Sequence, residues 1–313
     1  MLALGLAIRA DPGAQADDEA DEPASATGVA AAHAADDVPD DWGGPTPRRR
    51  LSIDRRQFVV GLLFGLACTA RLSIAFAAPF FLLVGSGGSW WRRGWSAAAG
   101  AAIPIALLVA YNVASTGHVV HPAYDYLYRI ETAGYGSLGY RSDWSIEDPR
   151  YLPQNLRIML LTPPEVLPWR LPDALGVRDT PVCTAPESRR GLFDPECPLA
   201  VPSDVGMSLF LTSPAYLLGF VALRRYGRIR LVTGSTLAVL LVAIFNLMHF
   251  SQGWVQFGYR FSNDFAPFAL VLVALGFERL ARRHRWGMTL GMTLVVASIA
   301  VNFWGVAWGR LLG

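Results

Sequence analysis

WVQFGYRFSNDFAPF, residues 254–268, is a polar and aromatic insert between two apolar runs, 231–250 and 265–280. Each run approaches the ~20 residues that a helix needs to cross a bilayer. The aromatic rings of the insert favour the headgroup layer. An arginine among them can grip a phosphate with its planar fork. The stretch therefore predicts that Arg260 holds a phosphate, that Trp254 and Tyr259 set its depth at the interface, and that Asn263 or Asp264 orients it. The plainer reading is an interfacial loop whose arginine snorkels to lipid headgroups.

Outward from this stretch, 52% of the 313 residues are hydrophobic, and several apolar runs reach spanning length. That composition predicts an all-α polytopic membrane protein. The formal net charge is only +2, so no nucleic acid or other polyanion is implied. The basic residues are all arginine, and they cluster at 48–56, 92–93, 224–230 and 279–285. The positive-inside rule puts all four clusters on the cytoplasmic side. Two spans, 95–114 and 205–223, separate the second cluster from the third. Two more, 231–250 and 265–280, separate the third from the fourth, and a last span, 288–308, follows.

Between the first two clusters lies a single apolar run, 58–84, interrupted by Arg71. To return to the same side it must be a hairpin of two short helices bent near Arg71. The alternative is one kinked span that leaves Arg92 and Arg93 outside. The expected fold is thus five full spans plus a short helical hairpin.

The domain divisions follow. Residues 1–10 read as the end of a membrane helix that begins upstream. Residues 11–57 are an acidic, then basic, cytoplasmic linker too poor in large apolar residues to pack. Residues 58–115 and 205–313 are membrane helices. Residues 116–204 are a proline-rich extracytoplasmic loop domain, too long for a simple connector. One short helix is expected in it at PQNLRIMLL, 153–161, lying along the membrane surface. On the oxidising external side Cys183 and Cys197 are expected to form a disulfide, while Cys68 lies in an apolar run.

His118 and His121, in GHVVHP, share the spacing of a metal pair, but no further ligand cluster is near and Pro122 ends any helix; local hydrogen bonding is the expected role, and no metal. Arg71 in an apolar run requires a polar partner or a polar surface. The external carboxylates Asp125, Glu131, Asp143, Glu147 and Asp148 are candidate bases or simply partners of Arg129, Arg141 and Arg150. Neither a phosphate-binding glycine loop nor a serine-nucleophile elbow is present.

Three stretches together carry a family resemblance. GLLFGLACTARLSIAFAAPFF (61–81), PIALLVAYNVASTGHVVHPAYDY (104–126) and FGYRFSNDFAPFALVLVALG (257–276) resemble, in order and spacing, segments of the GT-C superfamily of bacterial integral-membrane glycosyltransferases. The protein mannosyltransferase-like and aminoarabinose transferase-like enzymes, in glycosyltransferase family 39, belong to it. The resemblance covers residues 55–280. It implies transfer of a sugar from a polyprenyl-phosphate-linked donor to a cell-envelope acceptor on the extracytoplasmic face, without a cofactor, with Arg260 and Arg71 steadying the leaving phosphate. The family's catalytic acidic residue sits in a first external loop that this chain lacks. The resemblance therefore implies a C-terminal portion, partnered by a separate N-terminal half. Two other classes compete: a non-catalytic membrane scaffold, and a transporter or flippase subunit. A transporter should show repeated halves and broken helices.

Overall fold

The computed structural model describes residues 1–9, 53–86, 88–123, 143–168, 170–172, 179–181, 190–194, 197–203, 205–225, 230–250 and 256–311. Trp254 and Cys183 lie outside them, as do the acidic part of the linker and most of the external region's tyrosines. The described chain is mostly helical. Its helices are α1 (Leu2–Arg9), α2 (Arg55–Ala70), α3 (Ala78–Leu83), α4 (Trp90–Thr116), α5 (Leu152–Leu161), α6 (Leu209–Thr212), α7 (Leu218–Ala222), α8 (Arg230–Leu247), α9 (Ser262–Arg283) and α10 (Gly287–Leu311). Three of them, α4, α8 and α10, are long and apolar enough to cross a membrane.

The apolar run containing Arg71 folds back on itself. Asp54 starts α2 by accepting from the Gln57 amide at 2.9 Å, the usual cap for the free N–H groups of a first turn. At Arg71 the backbone turns extended (φ −149°, ψ 109°) and α2 stops. A 3₁₀ turn over Leu72–Ala77 and then α3 carry the chain back. The return is closed at its base. Gln57 donates Nε2 to the Phe81 carbonyl at 2.9 Å, and Ser86 donates Oγ to Asp54 at 2.5 Å. Arg71 is therefore at the tip of a hairpin whose two ends lie together. At about 1.5 Å per residue the 16 residues of α2 rise ~24 Å, short of the ~30 Å hydrocarbon core.

In hydrocarbon the attraction between helices comes from close packing and interhelical hydrogen bonds rather than from water exclusion. The Gly61 and Gly65 pair supplies that packing. A Cβ at either position would run into the backbone of α4 at Ala97 or Ala101. The same contact ties the starts of the two helices: the Asp54 amide donates to Ser96 Oγ at 2.9 Å. On the other side of the hairpin Phe80 packs against Phe268 of α9 with ring centres 5.2 Å apart, and Val84 lies against α8 at Gly234. At Gly276, α9 meets the Leu218 carbonyl of α7 so closely that no side chain would fit. These contacts gather Arg55, Arg56, Arg92, Arg93, Arg230, Arg282 and Arg283 at one end of the helices. The hairpin tip, the end of α8 and the start of α9 share the other.

The expected span 205–223 is not one helix. It is α6, a 3₁₀ turn over Pro214–Leu217, α7, and a 3₁₀ turn over Leu223–Arg225. Pro214 removes an amide and forces the break, and the freed groups are taken up by α10. Asn302 donates to the Thr212 carbonyl at 2.9 Å and to Ser213 Oγ at 3.1 Å, while Ser298 Oγ accepts from the Ala215 amide at 3.0 Å. The described part of 116–204 is not purely helical either. Glu165–Val166 (β1) pairs antiparallel with Ala200–Val201 (β4), and Arg170–Pro172 (β2) with Asp179–Pro181 (β3). The expected helix at 153–161 forms as α5. Its Ile158 and Met159 are buried in the core, so that face is covered by protein rather than laid on a membrane surface.

Candidate functional site

The site is built where the hairpin tip meets α8 and α9. Asp264 lies in the first turn of α9, where the helix dipole favours a carboxylate. Arg71 engages it edge-on, with Nε 2.9 Å from Oδ1 and Nη2 3.0 Å from Oδ2. Ser73 donates its hydroxyl to Oδ2 at 2.6 Å, and Asn246 of α8 donates Nδ2 to the same oxygen at 3.0 Å. Asn246 also donates to the Phe261 carbonyl at 3.1 Å. The guanidinium of Arg71 lies over the Phe261 ring, 5.7 Å from its centre. The pair is asymmetric in burial: the Arg71 side chain is 40% exposed and that of Asp264 only 4%. Arg71 spends its Nε/Nη2 edge on Asp264. Its Nη1 has no hydrogen-bond partner among the described residues and remains available to an outside anion.

Segment 143–161 docks beside this cluster. Asp148 donates its amide to the Met248 carbonyl at 2.8 Å, and Phe250 donates to the Ile146 carbonyl at 2.9 Å. Asn155, fully buried, donates to the Leu247 and His249 carbonyls at 2.9 and 2.7 Å, which satisfies carbonyls freed at the end of α8. His249 Nδ1 stands 3.4 Å from Glu147 Oε1, and its ring packs edge-on against Phe261 with centres 5.4 Å apart. Arg71 and His249 thus flank one aromatic ring. Nearby, Arg150 forks onto Asp148 at 2.9 and 2.7 Å and stacks 4.4 Å above Trp144. The Arg150 hydrogen bonds hold the Asp148 carboxyl down at about 2.

Several expected roles change. Asp264 does not orient Arg260; it is the partner of Arg71. Tyr259 does not anchor at the headgroup layer. It is 3% exposed, its ring packs against Phe261, and its hydroxyl has no hydrogen-bond partner among the described residues. Burial pushes its phenol far up from the ordinary value. Asn263 is exposed. Arg260 is exposed, held by its backbone amide donating to Gln256 Oε1 at 2.7 Å, with a side chain that makes no hydrogen bond or ion pair among the described residues. Ser73, Asn246 and His249 went unnoticed in the sequence. Asn246 had a visible signal, an amide in an otherwise apolar run. His118 and His121 are exposed, and the His121 ring accepts from the Ala123 amide at 3.1 Å. Among the described residues no group of His, Cys, Asp and Glu is arranged to hold a metal. Cys197 is disulfide-bonded and Cys68 is a buried free thiol.

Taken together, the fold and this cluster define a mostly helical protein of membrane character with a polar, arginine-bearing site at one end of its helices. Comparison with protein families, curated proteins and solved structures finds no match.

Proposed function

We propose that this chain is the donor-lipid-facing part of a multi-pass cell-membrane glycosyltransferase, one that moves a sugar from a polyprenyl-phosphate carrier to an envelope acceptor. Five crossings are made by α4, the broken segment 209–225, α8, α9 and α10, with the α2–α3 hairpin dipping in beside them and residues 116–204 outside. The observation that supports this reading is Arg71 held over the Phe261 ring at the end of the helices, with the exposed Arg260 next to Phe261 in the chain. Arg71 is set over the ring and fixed by Asp264, while Arg260 is its chain neighbour and is exposed. The fork of Arg260 together with the remaining Nη1 of Arg71, at the end of membrane helices, suits a diphosphate or phosphodiester at the bilayer surface. Glu147, half-exposed and steadied by His249, is the carboxylate best placed to take an acceptor proton.

The transporter reading draws on the broken segment at Ser213–Pro214. Its freed backbone groups are bonded by Ser298 and Asn302 rather than offered to a substrate, so the glycosyltransferase reading is preferred.

The test is donor-lipid binding to purified protein in nanodiscs. Charge-assisted hydrogen bonds contribute roughly 1.5–3 kcal/mol. Arg260→Ala is therefore expected to weaken binding of a polyprenyl-phosphate sugar by about one to two orders of magnitude, with Arg260→Lys recovering part of it. Because the exposed Arg260 side chain makes no hydrogen bond or ion pair among the described residues, thermal stability should stay within about 0.5 kcal/mol of wild type. Unchanged affinity in Arg260→Ala would overturn the assignment.

A further inference from the structure

The turn from α9 into α10 lies at the arginine-rich end of the helices, and the chain around it, 256–311, is described without a gap. The Gly287 amide donates to the His284 carbonyl at 2.8 Å, and a Cβ on Gly287 would run into the Leu280 carbonyl, so the reversal is tight. Each residue of RRHRW, 282–286, is exposed. Arg282 is answered by Glu278, Nη2 to Oε1 at 2.6 Å. The other carboxylate of this stretch, Asp264, is at the far end of α9 with Arg71. Arg283 and Arg285 are left without a hydrogen bond or ion pair among the described residues.

Two features set the depth and the surroundings of these charges. His284 lies flat against Trp286, ring centres 5.1 Å apart and planes inclined by 20°, and the indole is about half exposed. An exposed tryptophan at the end of an apolar helix favours the headgroup layer of a bilayer. Below it Met288, Met292, Val296 and Ile299 follow at helical spacing and share one face of α10. Each of them is about half exposed or more, on a helix long and apolar enough to cross a membrane. Two uncompensated guanidiniums above a continuous apolar face complement an anion joined to a hydrocarbon chain.

We propose that the α9–α10 turn selects anionic phospholipids of the leaflet on the arginine-rich side, with the headgroup phosphodiester against Arg283 and Arg285 and an acyl chain along Met288, Met292 and Val296. Guanidinium forks suit phosphate oxygens. A zwitterionic headgroup brings its own cation to the same place and gains less from the two arginines. The site is independent of the glycosyltransferase reading and uses none of its residues.

Native mass spectrometry of the full chain in detergent, loaded with phosphatidylglycerol or with phosphatidylcholine of the same acyl chains, tests it. One arginine near an anionic surface strengthens binding roughly fivefold. The wild-type chain should therefore retain phosphatidylglycerol about tenfold better or more. Arg283→Gln with Arg285→Gln should cut that preference by about fivefold or more, and Arg283→Lys with Arg285→Lys should keep most of it. Both positions are exposed and unbonded, so helicity and elution volume should stay as in wild type. Equal retention of the two lipids by the wild-type chain would overturn the proposal without any variant. An undiminished preference in the Arg283→Gln, Arg285→Gln chain would overturn it too, by placing the preference at other arginines. Displacement of phosphatidylglycerol by millimolar inorganic phosphate would show a free-phosphate site instead of a lipid site.

Discussion

Arg71 and Asp264, 193 residues apart in the chain, meet as a two-point ion pair in which the carboxylate is buried and the guanidinium is half in solvent. The cost of breaking such a pair depends on which partner is left behind. Removing Asp264 leaves an arginine that can turn toward water or headgroups. Removing Arg71 leaves a buried carboxylate with only Ser73 and Asn246 to compensate it. Breaking a fully buried pair costs roughly 3–5 kcal/mol, and the exposure of Arg71 reduces that to about 1–3 kcal/mol here. Arg71→Ala should therefore lower the melting temperature in detergent more than Asp264→Ala does. The reverse order would mean that Asp264 serves mainly as an acceptor for Ser73 and Asn246.

The docked segment 143–161 carries a pH dependence through Asp148. Its folded carboxyl titrates at about 2, below the ordinary value near 3.8, because Arg150 hydrogen-bonds the charged form. A depressed carboxyl contributes stability that is complete above its unfolded pKa and is lost as pH falls through its folded pKa. The loss should run from about pH 4 down to about pH 2. Trp144, under the Arg150 guanidinium, is the reporter. Its fluorescence in the wild-type protein should change across this window, and Asp148→Asn should abolish that change. A transition centred above pH 5 would assign it to another group.

Cys197 is bonded and Cys68 is a buried free thiol, so thiol counting gives a direct check. Protein unfolded without reductant should present one reactive thiol per chain, and after reduction all three of the chain's cysteines. A bridge to Cys183 closes a loop of ~15 residues and contributes about 3 kcal/mol in the chain-entropy description. Three free thiols before reduction would rule it out.

The bend at Arg71 was legible because a charge in an apolar run, bracketed by arginine clusters, has few physical solutions. The exposure of Arg260 was legible for a similar reason. The partner of Arg71 was not, because the pairing depends on how α2, α8 and α9 pack. Asp264 looked like a support for Arg260, four positions before it, when the helix turn aims it at the hairpin tip. The break at Pro214 had a local signal in the proline itself. The reason it is tolerated lies in Ser298 and Asn302, more than eighty residues away. Tyr259 misled because an aromatic residue beside an arginine reads equally as an interfacial anchor or as core, and only packing against Phe261 separates the two.

The hairpin has a topological consequence. Gln57 with Phe81, Asp54 with Ser86 and Asp54 with Ser96 put both ends of the hairpin and the start of α4 together. Arg71 at the tip shares the other end with Asp264. Ser89, which caps α4, therefore lies at the opposite end of the helices from Asn263. On the proposed topology, with the arginine clusters inside, Ser89 is expected on the cytoplasmic side and Asn263 and Ser203 on the outer side. Single cysteines at these positions, in a chain with Cys68 replaced by alanine, can be probed in intact cells with an impermeant thiol reagent. Asn263 is a better probe than its neighbour Ser262, which is buried. Ser203→Cys and Asn263→Cys should label from outside, and Ser89→Cys should label only after permeabilisation. Labelling of Ser89→Cys in intact cells would mean that residues 58–84 cross the membrane once, and that the closed base of the hairpin does not persist in the bilayer.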